Sequence, residues 1–274
     1  MQWWPAPAKI NLFLHITGRR DDGYHELQTI FQFLEFSDYL SFAVRRDRAI
    51  ASGNSVPAID SHEDLAVRAA QLLQARANVN RGVDIHLDKR IPIGGGLGGG
   101  SSDAATTLLA LNELWDVGWS VDQLAQLAIQ LGADVPVFVG GHAAWAEGVG
   151  ELLTPVSPPQ RWYLILAPPV RVSTAAVFAH PELTRHSTPI TIRDFHAGQV
   201  RNDLETVVCG LYPEVGEALG WLSKFGSARM TGSGGCVFLP VDSEADGLSI
   251  LAQRPDGCHG FVTKGTNTHP MVSA

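Results

Sequence analysis

Apolar and polar residues alternate from Lys9 to about Ile16, and the same period of two runs through "LQTIFQFLEF" (Leu27 to Phe36) and "YLSFAV" (Tyr39 to Val44). That period predicts strands with one buried face, and "DDG" at Asp21 to Gly23 predicts the turn after the first, so the chain opens as an antiparallel sheet. The period then lengthens. "HEDLAVRAAQLLQARAN" from His62 has helical spacing, "GVDIHLD" from Gly82 returns to a strand, and helices are predicted over about Ser102 to Trp115 and Ser120 to Leu131. The last of these has a serine at its start and Gly132 at its stop.

Further along, the pattern predicts a strand at Trp162 to Ala167, a short helix at Thr174 to Ala179, and a helix at Glu214 to Ser223. A strand at Cys236 to Val241, a helix after Asp242 and a strand at Gly260 to Gly265 complete it. Strands and helices occur in both orders with few strict β-α-β units, which predicts an α+β fold. The proline-rich step "LTPVSPP" (Leu153 to Pro159) is the candidate boundary, giving units of 1–152 and 153–274. The polar tail after Lys264 is expected to be loosely ordered.

With 274 residues, 45% of them hydrophobic, the chain can bury a large core without covalent staples. The three cysteines, Cys209, Cys236 and Cys258, form no disulfide framework or metal-ligand spacing, which suits a reducing compartment. "MQWWPAPAKINLFL" lacks the basic and long apolar regions of a secretion signal, and no window has the apolar length of a membrane span, so a cytoplasmic protein is expected. A net charge of -8 argues against general affinity for nucleic acid or anionic membrane. An anionic small ligand would have to be held by local devices: helix N-termini, backbone N–H groups and a few lysines.

One segment offers such a device. "PIGGGLGGGSSDAATTLLALNELW" from Pro92 sets two runs of three glycines directly before a helix, a costly arrangement unless the backbone needs positive φ or a close approach. A Walker loop is excluded because Ser101 stands where the lysine must be. Gly94, Gly96 and Gly99 match G-x-G-x-x-G, but Pro92 interrupts the preceding strand and another helix follows, against a dinucleotide fold. The motifs of protein kinases are missing as well. What remains is a glycine loop feeding a helix with Ser101 or Ser102 at its cap and Asp103 in its first turn, a natural seat for polyphosphate. A flexible linker is the competing reading.

The loop resembles the second signature of the kinase superfamily that includes galactokinases, homoserine kinases and mevalonate kinases. "PAKINLFLHI" (Pro7 to Ile16) resembles its first signature and "SARMTGSGGCVF" (Ser227 to Phe238) its third. "PAKINLFLHITGRRDDGYHELQT", "LGADVPVFVGGHAAWAEGVGE" and "NDLE" (Asn202 to Glu205) narrow the resemblance to a branch whose acceptor alcohol is carried on cytidine diphosphate. The resemblance implies a two-domain α+β kinase fold with the active site in the cleft between the domains. ATP is the implied phosphoryl donor, Mg²⁺ is expected without an assignable protein ligand, and no obligate protein partner is implied.

By the same resemblance Asp134 is the catalytic base and Lys9 the cation beside it and the transferring phosphate. Read as residues alone, Asp134 serves equally as a cap ahead of Pro136, and Lys9 as a charge snorkelling out of an apolar strand. Asn11, on the same strand face as Lys9, becomes a substrate contact, against a strand-end turn residue. Tyr24 and His25 would hold the cytosine with Phe178 on its other face, though Phe178 also reads as core, and Thr174 is a weaker polar contact. The nucleotide falls to Leu65, Lys89, Pro92, Gly94, Gly95, Gly96, Leu97, Gly98, Gly99, Gly100, Ser101 and Ser102. Lys89 and Arg90 also read as a solvated strand end. Gly232 to Gly235, with Ser233, would close over the substrate, or simply turn the chain before Cys236. Two other functions remain open: a relative acting on homoserine, a sugar or mevalonate, and a silent nucleotide-binding module.

Overall fold

The computed structural model describes residues 2–53, 64–196, 198 and 200–272. Strand β1 (Trp4–Arg19) and strand β2 (His25–Arg45) form a long antiparallel hairpin, paired from Trp4 opposite Leu40 to Arg19 opposite His25. The two strands expected over Leu27 to Val44 are therefore one. The polar interruption between them is not a turn, because Asp38 is fully buried and its carboxylate is occupied by neighbouring donors. Register shifts occur between Pro7 and Lys9, between Asn11 and Leu14, and between Ile16 and Gly18. Irregularities of this kind re-aim side chains, and here they bracket Lys9 and Asn11.

Strand β3 (Ile50–Ser52) and helix α1 (Leu65–Arg76) follow, with Asp64 capping α1 through Ala66 N; His62, where the helix is predicted to begin, lies outside the described residues. Strand β4 (Gly82–Asp88), helix α2 (Gly99–Leu114) and helix α3 (Val121–Ala128) come next. Ser120 caps α3, as expected, and Gln123 makes the cap a reciprocal pair. The short helix α4 (Val135–Gly140) leads to the hairpin of β5 (Ala144–Glu147) and β6 (Leu152–Pro155). The candidate boundary at 152/153 falls inside β6.

Strand β7 (Trp162–Ala167), helices α5 (Thr174–Ala179), α6 (Ile192–His196), α7 (Glu205–Leu211) and α8 (Pro213–Leu222), strands β8 (Arg229–Met230) and β9 (Val237–Val241), helix α9 (Glu244–Leu251) and strand β10 (His259–Thr266) complete the chain. One sheet runs in the order β3-β4-β2-β10-β7-β9-β8, with β1 and β5 also paired to β2. The tail after Lys264, expected to be loose, is held instead. His269 is fully buried and its N–H donates to the Gly141 carbonyl at 2.8 Å, while Asn267 Oδ1 accepts from Gln32 Nε2 at 3.0 Å.

Helices α1 to α4 cover β2 and β4 through Leu73, Leu108, Leu111 and Phe138, the last in ring contact with Phe33. The β1 residues Ile10, Leu12 and Phe13 bury against Tyr163, Ile165 and Phe238, and Leu14 and Ile16 join the core of α7 and α8. Along that same stretch β1 is bonded on its free edge. Leu14 N donates to Arg201 O at 3.0 Å, and Asp203 N donates to Leu14 O at 2.8 Å. The buried Asp203 carboxylate accepts from Ile16 N at 2.7 Å, Ser187 Oγ at 2.6 Å and Arg201 Nε at 2.7 Å.

Charge-assisted bonds to a buried carboxylate are among the strong ones, so Asp203→Ala is expected to lower the unfolding free energy by about 3 kcal/mol. Urea denaturation measures it, and a loss below about 1 kcal/mol would mean that the strand edge does not depend on this carboxylate.

Candidate functional site

The glycine loop answers to two neighbours. Gly94, Gly96 and Gly98 have φ of 75°, 75° and 72°, a region only glycine occupies cheaply. A Cβ on Gly96 would collide with the Thr231 carbonyl, and Cys236 N donates to Gly95 O at 3.0 Å. On the other side, a Cβ on Gly98 would come within 3.0 Å of the Lys9 stem, and Lys9 N donates to Leu97 O at 2.9 Å. The loop is thus wedged between the third glycine segment and β1, which rules out a free linker.

The expected serine cap is corrected. Helix α2 starts at Gly99 with Gly98 as its N-cap and no side-chain cap, so Asp103 lies beyond the first turn. Its first helical bond is Ser102 N to Gly98 O at 2.9 Å. The N–H groups of Gly99, Gly100 and Ser101 precede that bond and carry the positive end of the helix dipole. Residues from Pro92 through Ser101 line a cleft of about 590 Å³, together with Leu65, Lys9, Asn11 and Asp134. Ser102 does not line it: the side chain is buried with Oγ unpartnered.

Lys9 does not snorkel. Its side chain is only 3% exposed, with Nζ 2.6 Å from Asn11 Oδ1, 3.2 Å from Asp134 Oδ2 and 5.2 Å from the centre of the Phe31 ring. Asp134 precedes α4 but makes no side-chain cap, so its carboxylate, partly open to the cleft, is directed to Lys9. Asn11 is a linking residue and no turn. Its N–H donates to Thr231 Oγ1 at 2.8 Å and its Nδ2 to Thr29 Oγ1 at 2.9 Å, while Thr29 Oγ1 donates to Phe13 O.

Lys89 is not a solvated strand end. Its ammonium lies 2.6 Å from both Asp38 Oδ2 and Asp103 Oδ2. Burial pulls its pKa down, but the two carboxylates more than restore it and leave it raised. Burial pushes Asp103 up to about 7 against the pull of Lys89, and Asp38 adds to the rise. The other oxygen of Asp38 accepts from Arg90 N at 2.6 Å and Ile91 N at 2.8 Å, fixing the approach to the loop. Arg90 itself does sit at the surface, paired with Asp88 and over the Tyr39 ring.

A second lobe of about 560 Å³ holds Tyr24, His25 and Phe178 and shares Leu27, Ala133, Val149, Thr174 and Phe178 with the first. The two are ends of one cleft, with Lys9 and Asp134 on the glycine-loop side of the junction. Tyr24 is 66% exposed, and the His25 and Phe178 rings are 5.1 Å apart. Thr174 Oγ1 lies 2.7 Å from Ser233 Oγ, joining α5 to the third glycine segment. That segment is clamped by Asn202, whose Nδ2 donates to Met230 O at 3.1 Å and Gly232 O at 2.9 Å, and by Glu205 Oε2, which accepts from Met230 N at 3.0 Å. The sequence singled out "NDLE" without a task for it and placed Asp103 only in the first turn of its helix; Thr231 and Asp38 were given no role.

Residues 64–142 match the model for the GHMP kinases N terminal domain, and residues 191–259 match that for the GHMP kinases C terminal. A 4-diphosphocytidyl-2-C-methyl-D-erythritol kinase of Thiobacillus denitrificans is 55% identical over 98% of this chain and 97% of its own. The enzyme of that name from Pseudomonas syringae pv. syringae is 57% identical over 96% of this chain and 93% of its own. A crystal structure of 4-(cytidine 5'-diphospho)-2C-methyl-D-erythritol kinase superposes with a TM-score of 0.84 at 33% identity, covering 97% of this chain and all of that one. A mevalonate kinase shares the fold at 16% identity and a TM-score of 0.69. With relatives this similar along almost its whole length, and with both family domains matched, the chain belongs to the 4-diphosphocytidyl-2-C-methyl-D-erythritol kinase family of the GHMP kinases.

Proposed function

We propose that the protein transfers the γ-phosphoryl group of ATP to the 2-hydroxyl of 4-diphosphocytidyl-2-C-methyl-D-erythritol, giving the 2-phosphate and ADP for isoprenoid precursor synthesis. The observation that carries this reading is the order of parts along one cleft: a phosphate-sized glycine cradle, the Lys9–Asp134 pair, and an aromatic lobe of Tyr24, His25 and Phe178. The N–H groups at the start of α2 receive the nucleotide phosphates, and Leu65 borders the adenine end. The base lobe takes the cytosine, with Thr174 and Asn11 as polar contacts toward the rest of the conjugate.

In the chemical step Asp134 accepts the hydroxyl proton as the new O–P bond forms and the bond from the γ-phosphorus to the β-γ bridging oxygen breaks, with ADP as leaving group. Lys9 orients that carboxylate and balances charge on the transferring group. Lys89 supports the loop from beneath, its charge already shared by two carboxylates. Among the described residues no group of three His, Cys, Asp or Glu side chains could hold a metal. Mg²⁺ needs few protein ligands when phosphates are present. The unpartnered Ser102 Oγ and Asp103 Oδ1 are buried and do not line the cleft, so they do not fit that role, and no protein ligand is assigned to the ion. We place the division between the two units after β6 and the protein in the cytoplasm, supported by three free cysteines and by the absence, among the described residues, of a helix long and apolar enough to cross a membrane.

ADP release tests the reaction, with the cytidine conjugate, homoserine, galactose and mevalonate offered in parallel; turnover confined to the first is expected, and turnover of another alcohol would sink the base-lobe assignment. Asp134→Asn should fold and lose about 10²–10⁴-fold in kcat, whereas a near-normal kcat would remove Asp134 from the role of base. Gly96→Ala should cost about 1–3 kcal/mol of stability through its positive φ and the Thr231 carbonyl, and raise the KM for ATP more than that for the conjugate. Unchanged melting and KM in that variant would mean that the two loops do not constrain each other.

A further inference from the structure

Behind the aromatic end of the cleft, against His25, lies a guanidinium to which the reaction gives no task. Arg185 follows α5 and spends four of its bonds on backbone carbonyls: Nη1 donates to Pro181 O and Leu183 O, and Nη2 to Phe178 O and His180 O at 2.7 Å. Its remaining donor, Nε–H, points at His25 Nε2 at 3.1 Å. A guanidinium has donors only and stays protonated, so the imidazole nitrogen it meets must carry the lone pair. The single proton of neutral imidazole then sits on Nδ1. Burial lowers the pKa of His25, and the charges of Arg185 and Arg19 lower it further, so the neutral ring is the form at pH 7. Nδ1 makes no hydrogen bond to any described residue, and His25 lines the same lobe as Tyr24 and Phe178.

We propose that Arg185 is a specificity-positioning residue: by holding His25 as the Nδ1–H tautomer, it offers the bound base a donor that suits the ring N3 of cytosine and opposes uracil, whose N3 carries hydrogen. The proposal rests on the base-lobe reading given above. A pocket of aromatic faces alone accepts either pyrimidine, since stacking is tolerant of base identity. A fixed donor is not tolerant, because two opposed N–H groups leave both unpaired in a partly dry site. Arg185 also ties the tautomer to the chain around Phe178, so one side chain orders both the stacking face and the reading edge.

The test uses the full chain with ¹⁵N-labelled histidine, His25→Ala serving to assign the His25 resonances. In the wild type, Nδ1 should have the ¹⁵N shift and couplings of the protonated nitrogen and Nε2 those of the one with the lone pair, and kcat/KM for the cytidine conjugate should exceed that for its uridine analogue by about 10²-fold or more. Arg185→Met should give a mixture of tautomers and lose about tenfold or more of that preference, with the KM for ATP unchanged. An Nε2–H tautomer in the wild type overturns the proposal whatever the variant does, which covers the case of an Arg185→Met protein that does not fold. Preserved tautomer and preference in a folded Arg185→Met protein also overturn it, while leaving the base lobe standing. If His25→Ala keeps the full cytidine preference, the base is read elsewhere, and the base-lobe reading itself has failed.

Discussion

Everything in the cleft hangs on the free edge of β1. One edge of that strand pairs with β2, and the other is taken up in turn by Leu97 O on Lys9 N, Thr231 Oγ1 on Asn11 N, Arg201 O on Leu14 N and the Asp203 carboxylate on Ile16 N. A strand edge without partners is a liability in any sheet. Here the partners are the phosphate loop, the third glycine segment and the Asn202–Glu205 turn, so satisfying the edge assembles the site. The register shifts on either side of Lys9 and Asn11 let the strand change partners without losing its hairpin with β2.

Charge is handled locally. The molecule is acidic overall, yet the glycine-loop end of its cleft is the proposed seat of a polyphosphate. Backbone donors at the start of α2 supply the attraction without a buried net positive charge, since each lysine nearby already faces a carboxylate: Lys9 faces Asp134, and Lys89 faces Asp38 and Asp103. Buried ammonium groups without such partners would bear a large desolvation penalty. The fixed dipoles of peptide groups need no counterion and no reorganisation when the ligand arrives.

Much of this was legible in the sequence wherever the physical anomaly was local. A double glycine run ahead of a helix, a lysine in an apolar strand, and an aspartate before a proline each break the expected pattern within a few residues, and each lies in the cleft. The failures share a cause in long-range contacts. Asp38 fell in a gap between two expected strands because its partners, Lys89, Arg90 and Ile91, are some fifty positions away. Ser101 and Ser102 looked like caps by composition, but Gly98 could adopt the left-handed cap conformation that the loop geometry required. The tail looked loose because nothing near it in sequence announces Gly141 and Gln32 as its anchors. Arg185 had no signal at all, since its value lies in where five donors point.

The contact between the two glycine segments limits how this chain can drift over evolutionary time. Gly96 abuts the carbonyl of Thr231, and a Cβ on Gly235 would run into the Gly94 backbone, so no side chain can be added at either of these two positions unless the other segment gives way. Steric exclusion between backbones cannot be relieved by a second substitution, because every residue type carries the same peptide unit. The usual route by which neighbouring positions compensate for one another is therefore closed. Variation has to be absorbed at the rim of the cleft, where side chains meet side chains, and changes in substrate preference can accumulate there without disturbing the phosphate seat.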